Sequence, residues 1–265
     1  MGMMQLIVLA VVQGLTEFLP VSSSGHLVLV PSIFGWTDQG LTFDVAVHFG
    51  SLIAVCVFFR FDIVALLRGT RAIVTGDVKA DDARMVWYLG IGTIPAAVAG
   101  LLFAGWISAN LRDPMIVVVT LAGYGTLMAL ADRFASSERN ITDVRIRDAL
   151  IIGFAQALAL IPGTSRSGVT ITTGRLLGIA RQDAARFSFL LSVPVIFLAT
   201  IYEAVILLTG EIQVAWDNLG LAALISAIVA YISIEFFMRV VNAIGLLPFA
   251  IYRLLLAGVI IYVLV

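Results

Sequence analysis

The chain reads as an all-α integral membrane protein in which six transmembrane helices and two re-entrant helical hairpins form an inverted-topology repeat. Three observations lead there. Of its 265 residues, 61% are hydrophobic and 12% charged, with a mean hydropathy of +1.07, whereas soluble domains carry about 25% charged residues. Apolar runs of spanning length recur along the chain. Two further apolar stretches are too short to cross, and each is broken by a proline and a Ser/Gly-rich turn.

Met4 to Phe18 would rise only about 22 Å as a helix before Pro20 interrupts it, short of a hydrocarbon core about 30 Å thick. A polar turn, Val21-Ser22-Ser23-Ser24-Gly25, follows, and a second short apolar piece runs from His26 towards Phe34. This predicts a hairpin over residues 4–35 that enters and leaves by one face. Thr42 to Phe59, slightly short, is the first span, followed by Met85 to Trp106 and Met115 to Ala131. Asp148 to Ile161 repeats the short pattern: it stops at Pro162, turns through Gly163-Thr164-Ser165-Arg166-Ser167-Gly168 and resumes as Val169 to Ile179. That is the second hairpin, over 148–179. Phe187 to Leu208, Leu219 to Phe237 and Ile244 to Val265 complete the spans. The first residues lack the basic region of a secretory signal and read as mature structure.

The two hairpins look like copies. Gln13 precedes Gly25 by twelve positions, and Gln156 precedes Gly168 by the same twelve, although the prolines are one position out of step. Each copy is followed by three spans, and an odd number of crossings turns the second copy upside down. The expected units are residues 1–132 and 148–265 of one membrane domain. Lys and Arg gather in two loops, with Arg60, Arg68, Arg71, Lys79 and Arg84 in one and Arg133, Arg139, Arg145 and Arg147 in the other. These should be cytoplasmic. The loop near Arg112 and the stretch Thr209 to Asn218, along with both termini, should then lie outside, and the hairpin tips should meet near the midplane.

A net charge of -1 excludes the basic field of a nucleic-acid binder and leaves membrane lipid as the natural partner. Cys56 is the single cysteine, so neither an intrachain disulfide nor a cysteine metal cluster can form. Irregular backbone survives at membrane depth only when buried or lining a wet cavity, which makes the two polar tips the candidate site. Gln13 and Glu17 are four residues apart and share a helical face. An intramembrane Glu points to function by default, its alternative being a carboxyl bonded to neighbouring hydroxyls. Ser22, Ser23, Ser24 and Gly25 open one returning half-helix, and Ser165, Ser167 and Gly168 the other. Helix N-termini attract phosphate, though Ser and Gly also serve as plain caps. Arg166 offers bidentate donors to phosphate, its alternative being a structural pair with Glu17. His26, three residues after Ser23, could take a proton from that hydroxyl or simply be hydrogen-bonded. His48 is read as merely hydrogen-bonded, and Asp44, Arg175, Glu203 and Glu235 as structural groups or span ends.

At these residues the chain resembles a known family. Gln13-Gly-Leu-Thr-Glu17-Phe-Leu-Pro-Val-Ser-Ser-Ser-Gly-His26 and Pro162-Gly-Thr-Ser-Arg-Ser-Gly168 are similar to the two signature motifs of the undecaprenyl pyrophosphate phosphatases, or bacitracin-resistance proteins. The likeness covers nearly the whole chain, including Pro248-Phe-Ala-Ile-Tyr-Arg253. It implies release of the terminal phosphate of undecaprenyl pyrophosphate at the outer side of the bacterial cytoplasmic membrane, which recycles the lipid carrier for cell-wall synthesis. A divalent cation, Mg²⁺ or Ca²⁺, would be the cofactor, and a homodimer is a candidate assembly. The family's acidic motif begins with Glu or Gln, and Gln13 is the Gln version.

Carried over to these positions, Glu17 and Gln13 would hold the cation. Arg166 and the two helix N-termini would bind the pyrophosphate. Ser23 would attack with His26 as base and then acid, or His26 would attack directly. The rival reading is a lipid flippase or secondary transporter, because inverted repeats with broken helices are also a transporter architecture. Transport alone needs no nucleophile and base. An intramembrane serine protease is disfavoured because no Gly-x-Ser-x-Gly elbow is present.

Overall fold

The computed structural model of the chain describes all residues except 38, 78–80, 112, 137, 210–215 and 265, and inside its helices it leaves aside the side chains of 28, 41, 104, 108, 203 and 207–209. Lys79, Arg112, Ser137 and the side chain of Glu203 therefore lie outside the described residues. Eleven α-helices are described: α1 Met3–Thr16, α2 Ser23–Phe34, α3 Leu41–Phe58, α4 Arg60–Val74, α5 Asp81–Asn110, α6 Pro114–Phe134, α7 Ile146–Ala157, α8 Arg166–Leu176, α9 Arg181–Thr209, α10 Trp216–Ile244 and α11 Leu247–Leu264.

Among the described residues, five helices are long and apolar enough to cross a membrane, namely α5, α6, α9, α10 and α11. The pair α3 and α4 forms a sixth candidate, bent by 87° at its break. The expected spans thus reappear: α5, α6, α9 and α10 extend beyond their apolar runs, α3 nearly matches its run, and α11 starts at Leu247 rather than Ile244, which ends α10. One expectation is corrected, because Arg60 to Val74 is a helix rather than a loop. Its apolar residues recur at helical spacing, and Asp62 on its inner side is bonded by Arg186 of α9.

Both short hairpins are present, as α1 with α2 and as α7 with α8. They are not packed mainly against their own halves. Instead α1 lies along α10 and α7 lies along α5, so each half embraces a helix of the other. Glycine allows these approaches: a Cβ on Gly14 would sit 2.8 Å from the Ser226 carbonyl oxygen, and one on Gly153 would sit 2.5 Å from the Gly92 carbonyl oxygen. Backbones this close need small residues, the usual device of helix pairing in lipid. The central apolar cluster, with Phe18, Phe59, Phe187, Phe189 and Phe237, joins the first loop tip to α3, α9 and α10. It holds the tip that carries Glu17 against the bundle.

Candidate functional site

The two tips are built alike. Ser22 and Ser165, with φ of 74° and 69°, are the two non-glycine residues with positive φ among those described. Such a conformation costs about 1–3 kcal/mol and persists only where the surroundings enforce it. Each serine caps the following helix, Ser22 Oγ accepting from the Gly25 N–H at 3.4 Å and Ser165 Oγ from the Gly168 N–H at 3.2 Å. These bonds occupy the N–H groups of Gly25 and Gly168, two of the residues expected at the phosphate. The donors that a capped helix leaves open lie one and two residues past the cap, at Ser23 and Ser24 and at Arg166 and Ser167.

The tips also hold each other. Ser24 Oγ accepts from the Gly163 N–H at 3.3 Å, and Ser167 Oγ donates to the Leu19 carbonyl at 3.0 Å. Behind both, the wholly buried Arg253 of α11 donates to the carbonyls of Gly163 at 3.0 Å, Thr164 at 2.9 Å, Pro20 at 3.5 Å and Leu121 at 3.2 Å. One planar guanidinium thereby ties both tips to α6, which a flexible ammonium could not do.

At the meeting point sits Glu17, just past the end of α1 and 9% exposed. Its Oε2 accepts from Gln13 Nε2 at 2.9 Å and from Ser23 Oγ at 3.0 Å, and its Oε1 accepts from Arg166 Nη2 at 2.9 Å. Gln13, Glu17, Ser23 and Arg166 are therefore one cluster, as the sequence implied. Arg166 also stacks over Phe18, its Cζ 5.6 Å from the ring centroid, and reaches the Ser188 carbonyl at 3.4 Å.

His26 does not join this cluster as expected. Its Nδ1 is 2.8 Å from the Ser22 carbonyl oxygen and its Nε2 is 2.6 Å from the Tyr252 hydroxyl. A carbonyl only accepts, so Nδ1 carries the proton, and in the neutral ring Nε2 accepts from Tyr252. The cause is local: the bond back to the first residue of its own helical turn aims the ring along α2 towards α11. The hydroxyl of Ser23 is paired with Glu17 instead. Tyr252 and Arg253 were missed as site residues, although the matching Pro248 to Arg253 segment signalled them. His48, read as merely hydrogen-bonded, has its Nδ1 2.7 Å from the Asp44 carbonyl oxygen, and its Nε2 lies 3.8 Å from Glu17 Oε2. Arg175, read as structural, is indeed buried and donates to the carbonyls of Ser136 and Ile179 at 3.1 and 2.6 Å. Glu235 pairs with Arg239 on an exposed helix face, and Asp44 accepts from Gln39 at 3.1 Å.

The donor set fits a hard cation. Gln13 Oε1 is buried without a hydrogen-bond partner, and the amide is anchored to the Glu17 carboxylate. Two protein oxygens suit an ion that keeps waters and takes its remaining ligands from phosphate. Among the described residues no group of three or more His, Cys, Asp or Glu side chains could form a cage by itself.

Fold and site together define a polytopic α-helical membrane protein with a charged, hydroxyl-rich centre enclosed where two loop tips meet. The family model for the bacitracin resistance protein BacA matches residues 6–259, and the chain belongs to that family. It is 50% identical over 262 residues to undecaprenyl-diphosphatase 2 of Stutzerimonas stutzeri (strain A1501), covering 98% of this chain and 97% of that one. It is 49% identical over 263 residues to the undecaprenyl-diphosphatase of Hahella chejuensis (strain KCTC 2396), covering 99% and 98%. Identity to the undecaprenyl-diphosphatase of Teredinibacter turnerae (strain ATCC 39867 / T7901) is also 49%, covering 99% of both chains.

Proposed function

We propose that the protein hydrolyses undecaprenyl pyrophosphate to undecaprenyl phosphate and inorganic phosphate, recycling the lipid carrier for cell-wall synthesis and contributing to bacitracin resistance. The observation that carries this reading is the shared carboxylate of Glu17, which holds a serine hydroxyl from one tip and a guanidinium from the other. Family membership and full-length relatives bearing the diphosphatase name support it. The relatives quoted carry no transporter name, and no feature of the site favours the flippase alternative.

Phosphoryl transfer needs alignment and charge neutralisation more than covalent chemistry. Arg166 would exchange its bond to Glu17 for the terminal phosphate, with the N–H groups at the starts of α2 and α8 as further donors. Ser23 Oγ attacks phosphorus, its proton passing to Glu17 Oε2, the atom it already bonds. The bond to the bridging oxygen breaks, and undecaprenyl phosphate leaves. Water then cleaves the phosphoserine. His26 would move a proton at the leaving oxygen or the water once its Nε2 exchanges the bond to Tyr252. Glu17 and Gln13 would hold Mg²⁺ or Ca²⁺, which supplies positive charge against the phosphates.

The matching serine caps at Ser22 and Ser165, the reciprocal bonds between the tips and the exchanged packing of α1 and α7 support two units, 1–132 and 148–265, in inverted orientation. The membrane is the bacterial cytoplasmic one, the site opens to its outer side, and both termini lie outside. The deciding experiment is phosphate release from a prenyl pyrophosphate by the purified protein, with and without a chelator. No release with added Mg²⁺ or Ca²⁺ would refute the reading.

A further inference from the structure

Helix α4 has no part in the site, and its surface is unusual. The 18 residues of α3 rise about 27 Å, nearly the full hydrocarbon thickness, so α4 is not needed to complete that crossing. Turned 87° from α3, it would lie along the membrane plane wherever α3 crosses upright. Its inner side is fixed to the protein. Arg186 Nε donates to Asp62 at 3.1 Å, Leu66 packs on the central cluster, and a Cβ on Gly69 would meet the Asp82 carbonyl at 2.4 Å.

The outer side mixes two chemistries. Phe61, Leu67 and Val74 are 74%, 65% and 81% exposed, and Val64 is half exposed. Arg60, Arg68 and Arg71 are exposed on the same arc, with the Arg60 guanidinium 4.6 Å from the Phe61 ring centroid. Large apolar side chains do not face water in such a row without a purpose. Arginines interleaved with them bury their stems and keep their heads at the level of lipid phosphates.

We propose that α4 is an interfacial helix that binds the phosphate headgroups of anionic phospholipids in the leaflet where it lies, anchoring the bent end of α3. Charge complementarity names the occupant. The guanidiniums of Arg60 and Arg71 on an apolar bed, with Arg68 held 3.9 Å from Asp82, suit a phosphodiester carrying net negative charge, and a zwitterionic headgroup offsets that attraction with its own cation.

The test places a fluorophore on the L67C variant in a Cys56→Ala background. The protein is reconstituted in zwitterionic vesicles containing doxyl-labelled phosphatidylglycerol or doxyl-labelled phosphatidylcholine. The anionic quencher should be several-fold the more effective. Arg60→Gln with Arg71→Gln should bring the two quenchers close to parity, an arginine near the surface being worth about fivefold, with phosphate release unchanged. Equal quenching by the two lipids would overturn the proposal. So would protection from both, the result expected if a second copy of the chain covered the helix or it faced water.

Discussion

Ser23 and Arg166 each stand directly after a serine cap with positive φ, one in each half, and they bond opposite oxygens of Glu17, Oε2 at 3.0 Å and Oε1 at 2.9 Å. They occupy the same place in two related hairpins yet bring different chemistry to one carboxylate. They should therefore fail differently. Ser23→Ala is expected to lower kcat by orders of magnitude with prenyl pyrophosphate binding nearly intact, because a nucleophile matters to the chemical step. Arg166→Lys keeps the charge but loses the planar fork, so binding and turnover should both weaken. Steady-state phosphate release with direct binding to each variant separates the two. Near-normal kcat in Ser23→Ala would move the attack to His26.

Glu17→Gln should abolish cation-dependent turnover and also reduce stability. It strips the partner from a largely buried Arg166, a loss of about 3–5 kcal/mol for a broken buried pair. Adding Arg166→Met should recover part of that stability without activity. Thermal unfolding in detergent alongside the assay checks both halves, and an unaltered Tm for Glu17→Gln would mean that the pair is of little structural consequence.

The bond between His26 and Tyr252 predicts a graded series. His26→Ala should cost about 10²–10⁴ in kcat, as for a lost acid-base group. Tyr252→Phe, which leaves the imidazole in place without its 2.6 Å partner, should cost far less, roughly tenfold. Equal losses in the two variants would make the tyrosine hydroxyl itself the reacting group.

Arg253→Met should be among the most damaging changes outside the Glu17 cluster. It orphans the carbonyls of Pro20, Gly163 and Thr164, each at about 1–3 kcal/mol when buried and unsatisfied, and it removes the tie to α6 at Leu121. A fall in Tm of many degrees is expected, with activity lost in step. A stable but inactive variant would assign Arg253 to substrate instead.

The orientation is tested by single cysteines in a Cys56→Ala background. Asn218→Cys, on an exposed helix start, should react with an impermeant reagent added from outside, and Ser137→Cys should not. The opposite pattern would invert the topology.

The membrane class, the spans and both hairpins were legible in the sequence because hydrocarbon imposes a length on every apolar run and Pro with Gly marks where a run fails. The polar residues of the tips were legible too, since ionisable groups such as Glu17 and Arg166 are too costly at membrane depth without a purpose. The helical identity of Arg60 to Val74 was hidden by its charges, which read as loop until packing against α5 and α9 gave them a face. Only the tertiary structure decided who bonds whom. His26 faces Tyr252, 226 residues away, rather than the nearby Ser23, and Arg253 closes the tips from the far end of the chain. Spacing along a sequence says which residues share a helical face, but the partner of a side chain at a loop tip is set by how distant helices cross, and the exchanged packing of α1 on α10 and α7 on α5 leaves no local trace.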